Sequence, residues 1–392
     1  MTTVVRPTPE MRAGAPELVA ALTPVYIAES EQEREALFRF RYSVYVEELG
    51  RKLGNADHRK RWVRDEEDDK PYTILFYTTD DDGAVTGTTR LRHWAPGEVP
   101  DKDWRTFSME RFDGLGELVT AEIGRLMIRP DQRGQLGLVS IGCAIYGQCA
   151  GELGVDAGFI NCATGLVRYY RLLGFRTYHG RLVPTPDGIE VPLVMFPSDQ
   201  AYLERAGSFL VPFANAFFGL GKRARVDIAR YAALLDADTA PVQVDPAAVW
   251  DRVQQLRDAA QSQPPMLDAL SEETVRKLSD RGFLMRVPAG QLVTEQGLAQ
   301  QEIFVILEGT FEVHHGDRRL RVIGPGEVVG EVGFFSTSGR RSASVTAATD
   351  GQVLVLRRHF LDDLRRSDPA CAAEILFELA RALADRMYLP GG

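Results

Sequence analysis

From Met266 onward the chain is cut into brief β-type runs by glycine turns: PAGQLVTEQG, EIFVILEGTFEVHHG, RRLRVIGPGEVVGE and DGQVLVLRR. Short runs at regular spacing with turn signals fit few architectures, and a β-sandwich or β-roll is expected. A short helix from Ser271 precedes the strands, and one helix from about Arg358 to Met387 is expected to close them. Upstream the pattern is different. A chain of 392 residues is long for one core and natural for two or three domains.

Within the β region, Gly330 to Val345 reads GEVGFFSTSGRRSASV. A helix start offers free N–H groups to an anion, an arginine fork pairs phosphate oxygens, and a carboxylate accepts a hydrogen bond from a sugar hydroxyl. The segment resembles the phosphate-binding cassette of cyclic-nucleotide-binding domains of the catabolite-activator type. Pro288-Ala289-Gly290, Gln296-Gly297 and Phe304-Val305-Ile306-Leu307-Glu308-Gly309 match that family's earlier strands and turns. The resemblance implies that Glu331 binds the ribose 2′-hydroxyl and Arg341 the cyclic phosphate. Gly330, Val332, Ser342 and Ala343 would complete the site. Ser342 does not choose between cAMP and cGMP. Arg341 is expected to line a surface pocket, so that Arg341→Ala should leave the fold intact. Proteins of the catabolite-activator type continue into a helix-turn-helix, whereas this chain stops at Gly392, so a transcription factor is not expected.

Residues 1–24, rich in Pro, Thr and Ala, read as a loose arm, and 25–198 as an α/β domain, a mixed sheet with helices on its faces. A helix is expected over Glu31 to Leu49, then a hairpin of PYTILFYTT and AVTGTTRLRHW about the turn Asp80-Asp81-Asp82-Gly83. Leu118 to Ile128 reads as a strand. The loop Arg129 to Gly134 and a helix carrying Gly137, Gly142, Gly147 and Gly151 follow it. Together with Asn161 and Tyr170-Arg171-Leu172-Leu173-Gly174-Phe175, these resemble the GNAT superfamily of N-acetyltransferases. That resemblance implies an acyl donor bound near Ile128, Arg133, Gly134 and Gly137, and Tyr170 protonating the departing thiolate. The glycines of Gln132-Arg133-Gly134-Gln135-Leu136-Gly137 sit one residue out from the usual pattern, which is easier to reconcile with branches that accept an acyl carrier protein than with a tightly held coenzyme A.

Phe40 to Gly50 (FRYSVYVEELG) is similar to the signature of acyl-homoserine-lactone and N-acyl amino acid synthases. Asp65, Asp68, Arg90 and Glu122-Ile123-Gly124-Arg125 match further positions. The resemblance implies substrate contacts from Arg41, Tyr45, Asp65, Asp68 and Arg90, and catalysis by Glu122, Arg125 and Tyr170. Arg51 stands where lactone synthases carry tryptophan, which points to an amino acid or another amine as acceptor. An amine attacking a thioester must lose a proton, so Glu122 is a candidate base. In a regular strand Glu122 and Arg125 face opposite sides, and a bulge at Gly124 would bring them to one face. The residues alone leave open an ion network that only holds the fold.

Residues 199–262 read as a helical connector ending in AAQSQPP, with Phe209, Phe213 and Phe217 on one helical face. That stripe suits interdomain core, an acyl tunnel or peripheral membrane contact. Residues 263–392 then form the nucleotide-binding domain. The net charge of −9 gives no footprint for nucleic acid. The four cysteines have no zinc spacing and read as reduced thiols of a cytoplasmic protein, with no metal expected. No run is long enough to span a membrane. The expected function is a cyclic-nucleotide-regulated N-acyltransferase. A lysine acetyltransferase using acetyl-CoA would instead show a short acyl tunnel closed by side chains. An inactive fold acting as an interaction module would turn over no donor.

Overall fold

The computed structural model describes residues 3–51, 53–134, 136–163, 166–178, 182–185, 188–219, 226–235, 242–243, 246–259, 266–298 and 302–388. Gln135 and most of AAQSQPP lie outside the described residues. The chain divides into two compact units. One holds Met1–Asn161, Tyr169–Arg176 and Pro192–Leu235; the other holds Cys162–Arg168, Thr177–Val191 and Asp236–Gly392. The stretch read as a connector is thus divided between them.

The first unit is built on a mixed sheet. Its strands run Thr3–Val4, Tyr26–Ile27, Thr73–Thr79, Val85–Trp94, Thr120–Ile128 and Ala157–Ala163 in spatial order. The hairpin turns at Asp80–Gly83, where Gly83 has φ 80° and donates its N–H to the Asp80 carbonyl at 3.0 Å. Helix Glu31–Tyr42 begins in a capping box. The Ser30 Oγ accepts from the Glu33 N–H at 3.3 Å, and Glu33 accepts from the Ser30 N–H at 2.9 Å. The helix runs on as a π-turn over Ser43–Glu48.

The N-terminal segment is not a loose arm. Thr3–Val4 pairs with Tyr26–Ile27, and Pro9–Gly14 and Pro16–Ala21 are helices. Met11 is 2% exposed because it fills the space beside Gly147, where a Cβ would meet its Sδ at 2.6 Å. The phenylalanine stripe is likewise core within this unit. A Cβ at Gly142 would lie 2.5 Å from Leu173 Cδ2 and 3.1 Å from Phe209 Cζ, and one at Gly151 would lie 3.2 Å from Phe217 Cε1. These glycines admit side chains from neighbouring elements. Gly142→Val should therefore cost about 1–3 kcal/mol by overpacking, read as a lowered urea midpoint at unchanged slope.

The second unit packs two antiparallel sheets. One has the order Val242–Gln243, Phe283–Val287, Gly351–Arg357, Glu302–Glu308, Val328–Val329. The other runs Leu292–Thr294, Ser344–Ala347, Phe311–His315, Arg318–Ile323. Ile303, Val305, Leu354 and Leu356 meet Val275, Leu278, Leu361 and Leu379 in one core. The closing helix is two helices, Arg358–Ser367 and Pro369–Tyr388. Pro369 drives the preceding residue out of helical geometry, and Asp368 sits at φ −149°, ψ 81°.

Candidate functional site

The strand Val85–Trp94 projects Arg90 and Arg92 to one face, two residues apart. Across the ladder Arg92 is paired with Glu122 and Arg90 with Gly124. The register then slips. Thr88 pairs with Met127, so three steps on one strand face two on the other. The extra residue is Arg125, held at φ 56°. This is the expected bulge, with the left-handed residue one position beyond Gly124.

The bulge brings Arg125 to the carboxylate network that also holds Glu122. Arg125 grips Asp65 with both arms of its fork, Nε to Oδ2 at 2.7 Å and Nη2 to Oδ1 at 2.9 Å. Its Nη1 donates to the Tyr45 hydroxyl at 3.4 Å. Arg90 bridges Asp65 at 3.0 Å and Glu122 at 3.4 Å. The Nε of Arg92 donates to Glu122 Oε2 at 2.8 Å, and its two terminal nitrogens bind Asp103 at 3.0 and 2.6 Å. Glu67 adds a contact to Arg92 at 3.2 Å. Burial works against the charge of Asp65, but Arg125, Arg90 and Arg41 outweigh it and hold the carboxyl below its usual range. The sequence reading missed Arg92, Asp103 and Glu67. The signal available for Arg92 was its place two residues beyond Arg90.

Arg41 and Asp68 do not face a ligand. Their ion pair, 2.7 Å long, has no exposed side-chain surface on either partner. Asp68 also accepts the Asp65 N–H at 2.7 Å, which fixes the turn Glu66–Asp69. Direct substrate contact by these two residues is therefore corrected: they hold Asp65 from behind. The side chains of the network that reach solvent most are Arg125 and Glu67, each 31% exposed, with Asp65 at 14%.

Strand Thr120–Ile128 runs parallel to Ala157–Ala163 over three register pairs, Thr120↔Ala157 to Glu122↔Phe159. Beyond them Ile123, Leu126, Ile141, Tyr170 and Met195 line an apolar seam with about 20 Å³ of free space. That holds about one water, so the seam is closed by side chains. Tyr170 is 7% exposed and packs edge-on against Phe175. At the donor loop, Gly134 has φ 84° and Gly137 opens the helix Gly137–Gly147. Ser140 donates backward to Leu136 at 2.8 Å, and among the described residues the N–H groups of Gly137 and Leu138 at the helix start have no such acceptor. Arg133 is already engaged: its fork binds Glu48 at 2.6 and 2.9 Å, and its Nε donates to the Ile128 carbonyl at 3.0 Å. Three of its five N–H donors are thus occupied, which leaves two for a donor contact. Burial pushes the Cys143 and Cys149 thiols up to about 12, which keeps them protonated and poorly nucleophilic.

In the second unit Gly330, at φ 95°, caps the short helix Glu331–Phe335. Glu331 is 1% exposed and Arg341 is 4% exposed. Arg341 donates to the carbonyl oxygens of Gly330 at 2.9 Å and Glu302 at 2.6 Å, with its guanidinium over the Phe304 ring. Burial pulls its pKa down to about 10. Arg341 is not the surface arginine expected, because it ties two backbone segments together. Val332 and Ser342 are exposed, and Ala343 is half-buried beside them. Among the described residues, Glu273, Asp368 and Cys371 have metal-like spacing, but the Lys277 ammonium already sits on both carboxylates.

The family model of the N-acyl amino acid synthase FeeM matches residues 36–197, and that of the cyclic nucleotide-binding domain matches residues 284–368. The chain joins an N-acyl amino acid synthase domain to a cyclic nucleotide-binding domain. The nucleotide-binding domain has curated relatives. The Pycsar effector protein BcPycTIR of Burkholderia cepacia is 28% identical over 110 residues, which is 28% of this chain and 36% of that protein. The cyclic AMP receptor protein of Thermus thermophilus is 33% identical over 127 residues, 31% of this chain and 58% of that one. The chain thus spans well under two thirds of either relative. A solved cyclic nucleotide-binding domain from Methylobacillus flagellatus is 21% identical, with a TM-score of 0.30, covering 35% of this chain and 78% of that one. No helix among the described residues is long and apolar enough to cross a membrane.

Proposed function

We propose that the protein transfers an acyl group from a thioester to an amine such as an amino acid, under control of a cyclic nucleotide. The observation that carries the reading is Glu122, 7% exposed and aligned by Arg90 and Arg92 beside the bulge. A carboxylate has about four lone-pair positions, so one held by two guanidiniums still accepts a proton from an amine or an intervening water. In the proposed step the amine nitrogen bonds to the thioester carbon and its proton passes to Glu122. The carbon–sulfur bond then breaks, and the leaving thiolate takes a proton from Tyr170. In this reading the exposed edge of Arg125 receives the carboxylate of an amino acid acceptor, and the amides of Gly137 and Leu138 receive the phosphate of acyl carrier protein or coenzyme A.

Glu122→Gln should lower kcat by about 10²- to 10⁴-fold with little change in KM. Unaltered turnover would remove Glu122 as the base, and absence of turnover by the parent with every donor and amine would point to an interaction module instead. The closed seam favours a second reading, a short acyl group such as acetyl from coenzyme A. Turnover of acetyl and dodecanoyl donors, each on coenzyme A and on acyl carrier protein, separates the two.

In the nucleotide-binding domain, Glu331 and Arg341 are assigned to the ribose hydroxyl and the cyclic phosphate. Binding alters the rate only to the extent that the nucleotide prefers one conformation of the chain. Rates with and without cAMP and cGMP test the coupling and its sign.

A further inference from the structure

We propose that a cavity behind the helix Gly137–Gly147 binds a single-chain amphipathic carboxylate, separately from the acyl seam. The two sites use different stripes of one continuous helical segment. Ile141 and Ile145 face the seam, whereas Ser140, Ala144 and Gln148, spaced four apart, face the cavity. The N-terminal segment closes the other side. The space, open to solvent on one side, is about 350 Å³, within the range of roughly 300–1,000 Å³ usual for small-molecule sites.

The lining divides into a tail region and a head region. Val5, Met11, Val19 and Leu22 supply apolar wall. Arg6 and Arg12 stand at the exposed rim, and neither guanidinium has an ion-pair partner among the described residues. Exposed arginines are ordinary surface residues, so they alone would mark nothing. The further observation is Gln148. It is 6% exposed, lines the cavity, and its amide makes no side-chain hydrogen bond among the described residues. That amide faces the cavity, where a ligand head group or chain-end oxygen can take its hydrogen bond. The Arg12 Nε already donates to the Pro7 carbonyl at 3.2 Å, but with no carboxylate on either guanidinium among the described residues the two forks favour a carboxylate over a neutral head.

The proposal does not rest on the acyl-transfer reading and is tested by binding alone. Decanoate and N-decanoylglycine are titrated calorimetrically into the full chain, with 1-decanol as the neutral control and melting temperature as a second readout. Either carboxylate should bind and raise the melting temperature, with decanol at least about ten-fold weaker, which is about 1.4 kcal/mol. Arg6→Ala combined with Arg12→Ala should weaken binding by at least ten-fold, and Ala144→Phe, which fills the cavity, should abolish it. Should Ala144→Phe fail to fold, the exposed arginine pair still decides. The proposal is overturned if neither carboxylate binds, if decanol binds equally well, or if the arginine pair and the cavity-filling variant both leave affinity unchanged.

Discussion

Asp68→Ala should destabilise the synthase domain by about 3–5 kcal/mol, the largest stability effect expected of any single substitution in the network. The reason is Arg41. Its guanidinium has no exposed surface, and burial already lowers its pKa despite the neighbouring carboxylate. Taking Asp68 away leaves that charge without its 2.7 Å partner and strips the Asp65 N–H of its acceptor. Breaking a buried pair from one side costs far more than replacing both partners by apolar groups of similar volume. The double variant Arg41→Met with Asp68→Leu should therefore recover much of the loss. Urea unfolding followed by tryptophan fluorescence measures both. Equal or greater instability in the double variant would show that the pair contributes through geometry and not through compensation of charge.

Arg341→Ala should weaken cyclic-nucleotide binding by more than about 100-fold, since truncating one member of a buried charged contact costs about 2–5 kcal/mol. It should also destabilise the domain, contrary to the expectation from sequence. The carbonyl oxygens of Gly330 and Glu302 each lose a charged donor, and a buried acceptor left unsatisfied costs about 1–3 kcal/mol. Arg341→Lys separates the two effects. It restores a cation but not a fork, so stability should return further than affinity. Calorimetry and thermal unfolding on the same samples give both numbers. Affinity within a few-fold of the parent in Arg341→Ala would remove this arginine from the phosphate site.

What could be read from the sequence was whatever local order encodes. The cassette from Gly330 to Ala343 is contiguous, so its Gly-Glu start and its arginine were visible at once. The strand face carrying Arg90 was visible too. The direction in which Arg341 points was not, because its second acceptor is the carbonyl of Glu302, 39 residues earlier. The Arg92 cluster was hidden for the same reason: Glu67, Asp103 and Glu122 come from three separate segments and converge only in the fold. Arg41 and Asp68 were each named for substrate contact, with an ion network that only holds the fold left open; their full burial, which depends on packing, favours the network. The N-terminal segment has the composition of a free arm, yet it folds because glycines on another helix leave room for Met11.

The left-handed residue at Arg125 turns the strand into a phase shifter. Up to Gly124 the alternation of side chains is set by one register with Val85–Trp94, and from Met127 onward by another. A single-residue deletion between 124 and 126 would merge the two phases and exchange the faces of everything that follows. Met127 and Ile128 would swap sides, and the donor loop that begins at Arg129 would leave the sheet half a pleat out of step. Length at this point is therefore a constraint independent of residue identity. A variant library that substitutes freely here but never inserts or deletes would miss it.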